Sequence, residues 1–348
     1  MKANSAFGIW RLQAHSPRWP VVKAIVIEEF GGPEVLQLKE IPRPEPRAGE
    51  LLVRVHAAGA NPIDAGTRAD GGWAGVTLPA ILGCDISGVV EATGDGVSEF
   101  SPGDEVFYMA EFLNRAPGGY AEYNAVDAQL VAAKPPGLDH IEAAALPLAA
   151  GTAECVVGRR LEVQPGEWTL IHGASGGVGG YAVQIAKARG AQVIASASGA
   201  REDYLRGLGA DAFVDYEVGN PFEIAAGTIG AHIDAVADLV GSGSVAQALP
   251  FVGEGGRIAS IVELKGDLDL AIDRNIALHG VLVRPSRVLL EDLTRRVSLG
   301  ELRATVDTVY TVNQVRAMHE RLDSGHGRGK AILAMPILAE RGPAARAL

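Results

Sequence analysis

The chain has 348 residues, of which 47% are hydrophobic, 5% aromatic and 44 are Gly, with a formal net charge of −11. That length suggests two domains with apolar content for two cores, in a compact α/β enzyme rather than a disordered or fibrous chain. The acidic balance argues against a nucleic-acid or anionic-membrane partner, and no apolar run approaches the length of a bilayer span. Cys84 and Cys155 stand in no metal-type spacing; they predict neither a disulfide framework nor a structural zinc lobe and suit a reducing cytoplasm.

Residues 1–21 lack acids and are irregular. They are expected to be a disordered or non-native extension, with no apolar run long enough for a signal-peptide core. Over 22–148 short alternating strands are predicted at 23–28, 51–57, 88–93, 104–108 and 121–124, separated by Gly/Pro turn signals, as in a small, mostly antiparallel β domain. A helical, Ala-rich passage over 140–158 leads into a second unit, 149–285. There, strands at 169–172, 192–195, 212–215, 233–239, 257–262 and 278–283 alternate with helices, the pattern of a doubly wound parallel sheet. The remainder, 286–348, carries helices over 289–298 and 312–322 and strands at 306–309 and 330–334, and is expected to return to the first domain.

The most informative stretch is WTLIHGASGGVGGYAVQIAKAR, from Trp168 to Arg189. An apolar strand meets Gly173-Ala174-Ser175-Gly176-Gly177-Val178-Gly179, and helical spacing of Tyr181, Val183, Ile185 and Ala186 follows. A strand, a glycine turn and a helix together place a pyrophosphate on the open N–H groups of a helix N-terminus. The spacing is Gly173-x-x-Gly176-x-x-Gly179 rather than G-x-G-x-x-G, so the strand-to-helix context carries the reading. A tight turn in an unrelated α/β protein is the alternative.

The next strand bears on which dinucleotide is bound. It ends in small neutral residues where an NAD enzyme usually has an acid. Ser196 and Ser198 are expected to donate to a 2′-phosphate and Arg201 to pair with it, which favours NADPH over NADH. Glu202 and Asp203 weigh against this, although acids in a first helical turn also favour the helix.

With this layout the chain resembles the medium-chain dehydrogenase/reductase superfamily, and specifically its zinc-free quinone oxidoreductase branch. The resemblance lies in VKAIVIEEFGGPEVLQL, AAGANPIDAGTRAD, GGYAEYNAVDAQLVAAKPPGL, ALPLAAGTAE, the coenzyme turn and SGHGRGKAIL, in that order. It implies a GroES-like β-rich domain followed by a Rossmann domain. Zinc-dependent relatives have a Cys near Asn61, a His-Glu pair at Cys84-Asp85 and a four-Cys lobe; this chain has none of these, so no zinc is expected. His56 and His172 are read as structural histidines.

The resemblance implies an NADPH-dependent reductase that passes hydride to a quinone or an α,β-unsaturated carbonyl, acceptors with their own electron sink. It puts Asn61 at the cleft as a donor to the developing oxyanion, against the alternative of an Asn-Pro turn. Asp64 and Arg68 are expected to pair and brace that loop beside the substrate pocket, with Trp73 as a wall. A tyrosine common in relatives is Gly66 here, and no general acid is named. Thr152 near the nicotinamide, Tyr216 near the 2′-phosphate, and Arg328 and Lys330 at a coenzyme-facing bend complete the set; each also has a structural reading. A cytoplasmic homodimer joined near 278–283 is implied. The rival readings are a zinc-type alcohol dehydrogenase, disfavoured by the missing ligands, and a non-catalytic NADPH-binding sensor or structural protein.

Overall fold

The computed structural model describes residues 21–111, 117–325 and 327–336. Residues 1–20 of the expected extension, and the tail beyond 336, lie outside the described residues. Val21, assigned to that extension, instead begins the first strand.

The first part is built from β1 (Val21–Ile27), β2 (Gln37–Pro42), β3 (Glu50–Ala60), β4 (Ala80–Ile81), β5 (Asp85–Thr93), β6 (Glu105–Met109), β7 (Tyr123–Asp127) and β8 (Ala132–Ala133), with helix α1 (Pro62–Ala69) after β3. These strands pair antiparallel, β1 lying between β2 and β4 in a small sheet of its own. The helical passage expected over 140–158 is broken into α2 (His140–Ala143), α3 (Pro147–Ala153) and a π-helical segment, Glu154–Arg160. Pro147 explains the first break, since a residue without an N–H starts a helix more readily than it continues one.

The second part runs β9 (Trp168–His172), α4 (Gly177–Ala188), β10 (Gln192–Ala197), α5 (Glu202–Gly207), β11 (Ala212–Asp215), α6 (Pro221–Ile229), β12 (Ile233–Asp238), α7 (Ser244–Ala248), β13 (Val252–Ser260), α8 (Asp269–Asp273) and β14 (Ala277–Gly280). Among the described residues the six strands form one parallel sheet in the order β11-β10-β9-β12-β13-β14. β9, β10 and β12 shift from the sequence expectation by one or two residues at an end, and β13 and β14 by more. β13 starts at Val252 and ends at Ser260, and β14 is shorter than the apolar run that predicts it, because pairing with β13 stops at Gly280.

Neighbouring residues along the strands serve opposite faces: Leu170, Ile194 and Val236 pack in one core, Ile171, Ala195 and Ala237 in the other. A sheet covered on both faces needs such continuous apolar strands. The second of these cores continues without a break into Ile25, Leu51, Ile86 and Phe107 of the β-rich part. Finally α9 (Arg287–Ser298), β15 (Val306–Thr311), α10 (Val315–Ser324) and β16 (Lys330–Ala334) carry the chain back. β16 pairs antiparallel with β3, Ala331 opposite Ala60, in a larger sheet ordered β15-β16-β3-β5-β6-β8.

The strand order of the parallel sheet reverses between β9 and β12. Open α/β sheets bind ligands outside the carboxyl ends of strands at such a point.

Candidate active site

At the end of β9, Gly173 takes a left-handed conformation, φ 83°, which a Cβ would disfavour. The N–H groups of Gly173 and Ala174 donate to Ser196 O at 3.2 and 3.0 Å, and Gly176 N–H returns to Gly173 O at 3.2 Å. The turn is thereby closed before α4 begins. A Cβ on Gly179 would lie 2.3 Å from Gly173 O and 2.6 Å from the Ala174 backbone, so helix and turn are in direct contact there. Gly176 differs: a Cβ there would meet only Gly173 O, at an ordinary 3.5 Å. The first N–H groups of a helix have no intrahelical acceptor, so those of Gly177 and Val178, at the start of α4, are left without a partner inside the helix. Ser175 O accepts from Gly329 N–H at 3.0 Å, which brings the chain's last bend onto the turn.

Across the crevice β12 ends at Asp238, in register with His172. The buried Asp238 carboxylate accepts from Val240 N–H and Gly241 N–H, both at 3.1 Å, and from Ser260 Oγ at 2.7 Å. It braces the second turn of the crevice and was not expected from the sequence. The only available signal was an Asp at the end of an apolar strand. Burial holds the His172 imidazole below its usual pKa, and its Nδ1 lies 3.3 Å from Ser196 Oγ. Ser196 is therefore not the phosphate donor anticipated: it is fully buried, in register with His172, and its hydroxyl is directed to that ring.

Ser198 precedes the short turn Gly199–Arg201, and Arg201 N–H donates to its carbonyl at 2.9 Å. The Arg201 guanidinium has no hydrogen bond or ion pair to another described residue. Beside it an acid enters from the neighbouring strand: Asp215 Oδ2 lies where a Cβ on Gly199 would be 2.6 Å away. Tyr216 follows and is exposed.

The third wall comes from the β-rich part. Lys330, the first residue of β16, is 2% exposed and its ammonium donates to Ala60 O at 2.9 Å, to Asp85 Oδ2 at 2.9 Å and to Asn61 Oδ1. Asn61 Nδ2 in turn donates to Asp85 Oδ2 at 3.0 Å. The Asn61 amide is thus committed on both sides and is not the free oxyanion donor expected; the structural alternative holds in part, since Asn61 is the N-cap of α1 ahead of Pro62, in a capping box with Asp64. Asp85, whose importance the sequence did not signal, also accepts from Leu148 N–H at 2.6 Å at the start of α3.

Asp64 and Arg68 do not pair. Asp64 turns back to the start of α1, accepting from Asn61 N–H at 2.9 Å, Gly83 N–H at 3.0 Å and the Cys84 thiol at 3.2 Å. Burial pushes its carboxyl up to about 6. Arg68, in the last turn, reaches Gly31 O at 3.0 Å, Asp323 at 2.9 Å and His319 Nδ1 at 3.2 Å. One satisfies open amides at the helix start and the other ties the helix end to α10, so both serve packing. Thr152 is buried inside α3, away from its N-cap. Trp73 is exposed in the turn Gly72–Ala74. Arg328 stands over the Tyr204 ring at 5.2 Å, with Nε 3.6 Å from Asp307, and so already has partners.

Two family profiles match the chain, one described as the alcohol dehydrogenase GroES-like domain over residues 47–136 and one as a zinc-binding dehydrogenase over 208–333. A quinone oxidoreductase of Sus scrofa is 31% identical, over 90% of this chain and 98% of that protein. Among solved structures, the quinone oxidoreductase from Coxiella burnetii superimposes with a TM-score of 0.84 at 34% identity, covering 91% of this chain and all of that one. The CurK enoyl reductase gives 0.82 at 26% identity, over 90% of this chain and 99% of its own. The chain belongs to the medium-chain dehydrogenase/reductase superfamily, on its quinone oxidoreductase branch. It is an oxidoreductase of the quinone reductase type.

The second profile's description raises the question of zinc. Tetrahedral zinc needs thiolate, imidazole or carboxylate donors free to converge. Cys84 is buried and hydrogen-bonded to Asp64, and burial together with both neighbouring carboxylates drives its thiol away from ionisation. Asp85 already accepts three hydrogen bonds, one of them from the Lys330 ammonium. Among the described residues no group of three or more His, Cys, Asp or Glu is placed to hold a metal. This donor set does not fit zinc. The nicotinamide coenzymes of the superfamily do fit: the open face at Gly176 is a cradle that a Cβ would fill, at a helix N-terminus and a topological switch point.

Proposed function

We propose that the protein is an NADPH-dependent reductase of quinones or α,β-unsaturated carbonyl compounds that works without a metal. The observation that carries this reading is the contrast within one turn: Gly179 is sealed against the backbone while Gly176 is open beside the first N–H groups of α4. A surface of that kind meets a diphosphate. When bound, the reduced coenzyme supplies a hydride to the acceptor.

The chain's own residues hold and orient. The N–H groups of Gly177 and Val178 face the diphosphate, and the uncommitted Arg201, with Ser198, meets the 2′-phosphate. Asn61, Asp85 and Lys330 form a rigid polar floor between the coenzyme turn and the β-rich part, as positioning residues. Trp73 and Thr152 line the approach of acceptor and nicotinamide, and solvent water supplies the proton that completes reduction. Asp215 beside Gly199 favours a second reading of the coenzyme, since its carboxylate would repel a 2′-phosphate and accept from a free ribose hydroxyl. No described helix is long and apolar enough to cross a membrane, and the reading places the protein in the cytoplasm as a homodimer. The contact would form along β14, the outer strand of its sheet, near the exposed Leu264 and Ile272.

The deciding experiment is single-turnover oxidation of bound NADPH by a panel of quinones, enones and enals, with NADH in parallel. Oxidation by at least one acceptor class is expected. Tight binding with no oxidation by any acceptor would make the protein a sensor and overturn the proposal.

A further inference from the structure

Lys330 draws more segments together than any site residue considered on sequence grounds. Its ammonium joins the end of β3, through Ala60 O, to Asn61 at the start of α1 and Asp85 at the start of β5. Asp85 passes the connection to the start of α3 through Leu148 N–H. On the other side the lysine stem lies against the coenzyme turn, where a Cβ on Gly177 would be 3.1 Å from Lys330 Cδ. Its neighbour Gly329 donates to Ser175 O at 3.0 Å, and Lys330 N–H to Thr305 O at 2.7 Å.

An ammonium has three N–H donors, and all three are occupied by protein oxygens. Lys330 therefore has none left for a coenzyme phosphate, and a direct ionic contact is not its work here. We infer that Lys330 is a positioning residue, a buried internal cation that clamps the coenzyme turn to the substrate-side sheet so that coenzyme affinity depends on a positive charge at this spot. The physical reason is the state left behind when the charge is removed. Asp85 would keep a buried carboxylate without its counter-ion, and Ala60 O and Asn61 Oδ1 would lose their donor. Those groups are held by the same side chain whose stem lies against Gly177, so their rearrangement or hydration would shift the lysine stem beside the turn where the coenzyme has to seat. The inference rests on the proposed coenzyme reading, and its test is arranged so that the two fail differently.

Lys330→Met keeps a stem of similar length without the charge, and Lys330→Ala leaves a space the shape of propylamine. NADPH dissociation constants come from equilibrium fluorescence titration, Tm is taken on coenzyme-free protein, and KM and kcat follow for any accepted substrate. Lys330→Met is expected to weaken NADPH binding by roughly tenfold or more, raising KM for the coenzyme more than it lowers kcat. Propylammonium is expected to restore both the affinity and the Tm of Lys330→Ala, while 1-propanol, its uncharged isostere, restores neither. Should the single variants not fold, Asp85→Asn combined with Lys330→Met removes both charges; it is expected to fold and still bind NADPH weakly.

Wild-type affinity in Lys330→Met or in the double variant would overturn the clamp, as would equal rescue by the amine and the alcohol. If the wild-type protein binds no nicotinamide coenzyme, the proposed function fails instead. The dependence of coenzyme affinity on Lys330 falls with it in that case, while the Tm rescue still decides the structural joint: without selective stabilisation by propylammonium that joint falls too.

Discussion

Alanine at position 176 and valine at position 179 test the same turn in opposite ways. At Gly176 the backbone has φ −71° and ψ 177°, values any residue adopts, and the new methyl would sit 3.5 Å from Gly173 O. Folding should be unaffected or slightly favoured, by about 0.4–1 kcal/mol from the restricted unfolded chain. The methyl would project into the open cradle, separating a diphosphate from the helix N–H groups. Losing one charge-assisted hydrogen bond costs about 1.5–3 kcal/mol, so NADPH binding should weaken by roughly 10- to 150-fold.

At Gly179 the added Cβ starts 2.3 Å from Gly173 O and 2.6 Å from the Ala174 backbone, atoms that no side-chain rotation can move aside. Overpacking of this kind costs about 1–3 kcal/mol. At about 2–4 °C per kcal/mol the melting temperature should fall by several degrees, with coenzyme binding lost as the turn is displaced. Calorimetric melting and isothermal NADPH titration on both variants separate the two effects. Wild-type affinity in Gly176→Ala would refute the placement of the diphosphate, and a Gly179→Val protein unchanged in both measurements would refute the account of the turn.

Two further expectations concern charge. Arg201→Ala should weaken NADPH by about 1.5–3 kcal/mol and leave NADH nearly untouched, while Asp215→Asn should favour NADPH; equal losses for both coenzymes in Arg201→Ala would show that Arg201 does not read the phosphate. Burial, with the Arg68 charge beside it, lowers the His319 pKa from 6.5 to about 4. A base that is neutral when folded contributes stability above pH 6.5 that is lost as the pH falls toward 4, up to about 3 kcal/mol. His56, also held at about 4 by burial, acts in the same direction. Asp64, raised to about 6, acts in the opposite one, because its share is present below pH 3.8 and lost as the pH rises through 6. Urea unfolding of His319→Gln between pH 4 and 7 should show a shallower fall in stability than wild type, and an identical pH profile would sink this assignment.

Much of this molecule was legible in the chain itself, because its determinants are local. Alternating short strands, the apolar runs of a sheet buried on both faces, and the strand, turn and helix around Gly173 each need only neighbouring residues and a backbone preference. Even the last strand, Lys330–Ala334, carries its own pattern. What failed was partnership. Asp64 and Arg68 are four apart on one helix, yet each is satisfied by a different distant segment. Ser196 looked suited to a phosphate until its position opposite His172 turned its hydroxyl into the sheet.

Strand order decided the rest. Lys330 and Asp85 are 245 positions apart, and Lys330 and Asn61 are 269 apart. They meet only because β16 returns to pair with β3 while β5 lies on its other side. An ammonium at the end of a glycine bend reads as a solvated charge or a phosphate ligand when taken alone. Burial with three oxygen acceptors makes it an internal cation, since a charge taken from water persists only where the fold supplies every partner. Local spacing along the chain set the elements and the glycine cradle; the tertiary arrangement alone determined which polar side chains face each other across it.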